Sequence, residues 1–141
     1  MSVTNYVAGF VFDQAREHVI LIRKNRPTWQ AGRLNGVGGH VEPGESGPEA
    51  MRREFEEEAG LFYPWRSHFA TVKGPWGSVQ FFRTFADDAF TLAYSRTDEQ
   101  IEKHTIADLP WDQCVPNLSW LIPLGLYSHD RYAPVMAEEI R

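Results

Sequence analysis

The sequence predicts a mixed α/β (α+β) fold, a central mixed sheet with helices packed on its faces. Three observations predict it. Stretches rich in β-branched and aromatic residues are interleaved with two helical patterns rather than grouped apart. Apolar residues make up 43% of the chain and aromatics 13%, enough to bury a core without disulfide or structural-metal staples. The 141 residues also fall in the usual span of one domain, so 1–141 reads as a single unit.

Val3–Phe12 reads as the first strand, Asp13–Glu17 as a turn, and His18–Arg23 (HVILIR) as a second, largely buried strand. Asn25–Gly44 is a Gly/Pro-rich connection around a short apolar piece. A helix follows at about Gly47–Leu61, with Ser46 suited to the N-cap, Pro48 to the first turn and Gly60 to the C-cap. His68–Lys73 and Val79–Ala86 read as strands paired across Gly74-Pro75-Trp76-Gly77. A weaker strand near Ile101–Ile106 precedes a second helix, Asn117–Ser128.

Several function classes are excluded early. The single cysteine, Cys114, rules out an internal disulfide and a cysteine-based zinc site, and no two of the five histidines sit at metal-ligand spacing. A net charge of −5 and a pI near 5.5 argue against a nucleic-acid polymer as partner. The N-terminal segment lacks a basic region followed by a continuous apolar stretch, and no run approaches the ~20 apolar residues that span a bilayer. A cytoplasmic setting without a membrane partner is the expectation. The sequence leaves a homodimer open.

The acidic residues are unevenly placed. Between Glu42 and Glu58 lie seven glutamates and two arginines. At 100° per residue Glu54, Glu57 and Glu58 fall within about 100° of helical arc, beside the apolar stripe of Met51, Phe55 and Ala59; Arg52, Glu49 and Glu56 point to solvent. A solvated acidic face is the ordinary reading of a Glu-rich helix. A face adjoining the core stripe instead sets three carboxylates at the core rim, where their repulsion needs a cation. Mg²⁺ takes carboxylate oxygens and phosphate oxygens together. Just upstream, Gly38-Gly39 allow a close backbone approach, and a bare carbonyl there is one more hard oxygen ligand.

Residues 39–61, GHVEPGESGPEAMRREFEEEAGL, match the Nudix signature G-x5-E-x7-R-E-U-x-E-E-x-G-U, where U is a bulky apolar residue. Gly39, Glu45, Arg53, Glu54, Glu57, Glu58 and Gly60 fill the fixed sites, and Phe55 and Leu61 the bulky ones. Seven such matches arise by chance at ~10⁻⁸ per starting point, given typical residue usage. The chain therefore resembles the Nudix hydrolases, and GRLNGVGGH at 32–40 resembles their MutT-like, 8-oxo-dGTP-sanitising subgroup.

That resemblance implies an α/β/α sandwich with the signature loop-helix-loop against a mixed sheet. It implies Gly38 (carbonyl), Glu54, Glu57 and Glu58 as ligands of Mg²⁺ or Mn²⁺, with Glu54 the first candidate for base and Glu57 and Glu58 the principal ligands. Arg53 would pair with Glu45 in a structural role. Asn35 matches a base-contacting position, Trp29 a pocket aromatic and Arg23 a phosphate contact. Asn117 stands where an amide can meet a purine edge, and it equally suits a helix N-cap. His40 departs from the lysine common in the subgroup, and Val115, Asn117 and Leu118 replace the usual base-reading residues. Asp98, Glu99 and Glu102 are expected to be solvated, although some relatives place a further ligand in a late loop.

The implied activity is hydrolysis of a phosphoanhydride in a small nucleotide, a (deoxy)nucleoside triphosphate split to monophosphate and pyrophosphate. The alternatives are an ADP-ribose or other NDP-X pyrophosphatase, and a non-catalytic nucleotide-sensing module.

Overall fold

A computed structural model describes residues 4–140. Eight strands form one mixed sheet: β1 (Thr4–Phe12), β2 (His18–Arg23), β3 (Leu34–Asn35), β4 (Val37–His40), β5 (Ser67–Gly74), β6 (Gly77–Phe85), β7 (Gln100–Thr105) and β8 (Val135–Glu138). The order is β3-β2-β1-β6-β5-β8, with β4 on β1 and β7 on β2. The β1/β6 and β5/β8 pairs are parallel and the rest antiparallel. Helices α1 (Gly47–Ala59), α2 (Asp87–Leu92) and α3 (Leu118–Tyr127) complete the fold. The position of Val3 in the first strand lies outside the described residues.

Alternation along β1 and β2 sorts the core into two layers. Phe10, Phe12, Val19 and Leu21 face α3, meeting Leu118, Leu121 and Ile122. Val7, Val11, Ile20 and Ile22 face the other way and meet Ala50, Met51, Phe55 and Ala59 of α1. Both helices thus bury one apolar stripe against opposite faces of the same sheet.

The Gly/Pro-rich connection carries two short strands that its sequence does not predict. β1 pairs with β2 only at Val11 and Phe12, then diverges, and residues 34–40 run up the fork. Leu34 and Asn35 pair with β2, and Val37–His40 pair with Tyr6–Gly9 of β1. Low strand propensity is overridden there because two open edges supply hydrogen-bond partners. The helix ends where its caps stop it. Ser46 and Glu49 form a reciprocal capping box, and Gly60 adopts φ 75° with its N–H on the Glu56 carbonyl. Ser46→Ala should lower stability by about 1 kcal/mol in urea unfolding without changing the m-value.

Candidate active site

The C-terminal half of α1, strand β4 and the chain at 94–99 converge on one region. Glu54 is buried, at 9% exposure, and faces β4 so closely that a Cβ on Gly39 would come within 2.6 Å of its carboxylate. A Cβ on Gly38 would strike the Val7 carbonyl at 1.9 Å. Only glycines let this backbone lie against both β1 and the helix. The Val41 N–H donates to the Asn5 carbonyl, so by antiparallel alternation Val7/Gly39 is a hydrogen-bonded pair and Ala8/Gly38 is not. The Gly38 carbonyl therefore turns away from β1.

Arg53 organises the carboxylates. Its Nε and one terminal nitrogen donate to both oxygens of Glu45 at 2.7 and 3.0 Å. The same terminal nitrogen reaches the His40 carbonyl at 2.9 Å, and the other donates to Glu54 at 2.9 Å and Glu57 at 3.2 Å. The guanidinium thus ties the loop before α1 to the end of β4 and to two of the three glutamates. Hydrogen bonding to Arg53 holds the Glu45 carboxyl below its ordinary value.

Desolvation by burial pushes Glu54 above the usual carboxylate range, with Glu57 and Glu58 adding repulsion against the pull of Arg53. Desolvation likewise raises Glu58, helped by Glu99 and Glu57 and opposed by the Thr97 hydroxyl and Lys24. Glu57 is the exposed member of the trio, its side chain 55% accessible. Among the described residues no three acidic, histidine or cysteine side chains already converge as a ready-made cation cage. Arg53 draws Glu54 and Glu57 to itself, and Thr97 holds Glu58. Even so, three mutually repelling carboxylates beside an outward carbonyl form an all-oxygen donor set. It fits a hard divalent cation once the exposed Glu57 carboxylate swings off Arg53.

The remaining sequence-derived positions are distributed as follows. Arg23 is not a free cation at the strand end. It makes a bidentate pair with Glu102 at 2.7 and 2.9 Å and donates to the Gly32 carbonyl and to Gln113. Trp29 is 67% exposed on a one-turn 3-10 helix, Thr28–Gln30. Asn35 gives one amide hydrogen to Gln30 at 2.9 Å, and its oxygen accepts the Gly36 N–H. Asn117 precedes α3 in helical geometry and makes no side-chain cap bond, which removes its capping role. A parallel bridge between Leu34 and Cys114, with the Val115 N–H on the Leu34 carbonyl, lays the Asn117 segment alongside Asn35.

Glu99 and Glu102 are not simply solvated, whereas Asp98 is 63% exposed as expected. Asp98 pairs with Arg26 at 2.6 Å, and Glu102 takes Arg23 and His104. Glu99 is 3% exposed and receives Lys24 at 2.9 Å and the N–H groups of Asn25 and Arg26. Except for His104, two residues from Glu102, these partners are 72–79 residues away in sequence, so local pattern carried no signal for them; Lys24 directly after the second strand was the nearest hint.

Comparison with known proteins decides the family. The NUDIX domain family matches residues 4–121. The chain belongs to the Nudix family. It is a Nudix hydrolase, a class that acts on nucleoside diphosphate derivatives and generally needs a divalent cation. A NUDIX hydrolase structure from Nitrosomonas europaea superposes with a TM-score of 0.74 at 14% identity, covering 100% of this chain and 81% of that one. A MutT structure, from work on Aliivibrio salmonicida and Vibrio cholerae, gives a TM-score of 0.73 at 26% identity over 91% of this chain and 100% of the other. No curated protein matches the chain in sequence. Among the described residues of this Nudix hydrolase, no helix is long and apolar enough to cross a membrane.

Proposed function

We propose that this Nudix hydrolase splits a (deoxy)nucleoside triphosphate, a purine by preference, into the monophosphate and pyrophosphate, with Mg²⁺ or Mn²⁺. One observation carries the reading: Glu54 is buried at the glycine-only face of β4, beside Glu57 and Glu58 on the same arc of α1. Glu54, Glu57, Glu58 and the Gly38 carbonyl would hold the cation, which when bound polarises the phosphate oxygens and lowers the pKa of water. Glu54, its carboxyl raised by burial and steadied by Arg53, is suited to orient or deprotonate the attacking water. Arg53 keeps the loop before α1 seated against the helix through Glu45.

Nucleotide recognition falls to Asn35, Asn117 and Trp29. With Gln30 and Gly36 satisfied, the Asn35 amide retains one N–H and one lone pair for a base edge. Arg23 serves phosphate only by exchanging Glu102 for it, so it acts as a brace unless substrate displaces that pair.

A substrate panel run with Mg²⁺, its products separated by ion exchange, tests the assignment of both nucleotide and bond. The expected best substrate is a purine triphosphate yielding pyrophosphate. ADP-ribose outrunning every triphosphate would replace this assignment and leave the family intact. Asn35→Ala should cost about 1–3 kcal/mol in kcat/KM for the preferred purine, and much less for a pyrimidine. An unchanged purine-to-pyrimidine ratio would remove Asn35 from the base site.

A further inference from the structure

The chain at 94–99 carries a second device. It runs along the C-terminus of α1, where the Tyr94 N–H donates to the Ala59 carbonyl and the Arg96 N–H to the Glu58 carbonyl. At the next residue, the Thr97 hydroxyl donates to the Glu58 carboxylate at 3.0 Å while its oxygen accepts the Glu99 N–H at 3.1 Å. The Glu99 carboxylate, almost wholly buried, accepts the Asn25 N–H at 2.6 Å, the Arg26 N–H at 3.2 Å and the Lys24 ammonium at 2.9 Å. The Asn25 amide adds a bond to the Asp98 carbonyl.

Asn25 and Arg26 begin the loop that carries Trp29, and Lys24 closes its neck through the Arg33 carbonyl and the Gly32 N–H. An unbroken path of donors and acceptors therefore joins the loop backbone to Glu58. It runs from the Asn25 N–H to the Glu99 carboxylate, from the Glu99 N–H to the Thr97 hydroxyl, and from that hydroxyl to the Glu58 carboxylate.

Burial makes each link count. Glu99 cannot trade its loop partners for water, and the Thr97 hydroxyl occupies one oxygen of Glu58, leaving the other for a cation. A hydrogen bond to a ligating carboxylate fixes its orientation, and removing such a bond commonly weakens cation affinity 10–100-fold. We propose that Thr97 and Glu99 are positioning residues that couple divalent-cation binding at Glu58 to the seating of the Trp29 loop. The proposal rests on the reading of Glu58 as a cation ligand. By linkage, what tightens Glu58 tightens the loop by the same factor, and the converse holds.

Hydrogen exchange of the 24–33 amides with and without Mg²⁺, in the absence of nucleotide, reads the loop. Isothermal titration with Mn²⁺ reads the cation. In the wild type Mg²⁺ should slow exchange at Asn25, Arg26 and the residues after them. Thr97→Val should abolish that slowing and weaken Mn²⁺ about tenfold. Thr97→Ser, which keeps the hydroxyl, should restore both. Glu99→Gln keeps Thr97 but loses the Lys24 pair, so its loop amides should exchange faster in either condition. Should Thr97→Val fail to fold, Thr97→Ala, which also lacks the hydroxyl, makes the same test. Mg²⁺ slowing that survives in Thr97→Val, or is absent from the wild type, overturns the coupling. Undiminished Mn²⁺ affinity in Glu58→Gln overturns the ligand reading instead, a result distinct from failure of the Thr97 link.

Discussion

Glu57→Gln and Glu58→Gln should each lower turnover by at least about a hundredfold, because each exchanges a hard anionic ligand for a neutral amide. EDTA should abolish activity and added Mg²⁺ restore it. Neither substitution should harm the fold, since both relieve repulsion among carboxylates on one helical arc. For Glu58 the sign of the stability effect follows from its raised pKa. Below the unfolded value the carboxyl is neutral in both states and carries no charge penalty. As pH rises through the elevated folded value the buried group must ionise, and stability is lost. In chelator, Glu58→Gln should therefore melt higher than wild type at pH 8, with the gain shrinking towards pH 4. Near wild-type turnover in either mutant, folded by circular dichroism, would dismiss the site assignment; activity persisting in EDTA would dismiss the metal mechanism.

Arg53→Ala should act through stability. One guanidinium serves both Glu45 oxygens, Glu54, Glu57 and the His40 carbonyl, and its removal leaves the buried Glu54 carboxylate without its cation. Breaking a deeply buried pair costs about 3–5 kcal/mol. Here the arginine and Glu45 side chains remain 24% and 19% exposed, so about 2–3 kcal/mol is the better expectation after solvent screening. That corresponds to a melting temperature lower by roughly 5–10 °C, with partial loss of activity as the loop before α1 loosens. Arg53→Lys should recover little, because an ammonium cannot reproduce the two-pronged grip on Glu45. Unchanged melting with abolished catalysis would place Arg53 on the substrate.

Two features of the site are legible in the amino-acid sequence alone. Ser46, Pro48 and Gly60 bracket α1 because capping is a matter of adjacent backbone groups, and the helix runs Gly47–Ala59 between them. Glu54 lies at the core rim because its angular distance from Met51 and Phe55 is set by helical period alone. Helix α3 was likewise readable to within a residue at each end, whereas the short α2 was not. Strands β3, β4 and β8 were not. VGGH and VMAE have weak local preference, and they become strands because β1, β2 and β5 offer unpaired edges.

The same division holds for the chemistry. The amino-acid sequence by itself determined the capped helix, its three-glutamate arc and the two glycines just upstream of it, because all lie within 22 residues whose geometry follows from helical pitch and glycine's missing side chain. Only the tertiary structure decided that Arg23 is spent on Glu102, that Glu99 is buried under Lys24, and that Thr97 reaches Glu58. Those pairings join residues 39–79 positions apart, where the partner of a charge depends on which strand edges and helix ends the fold brings together.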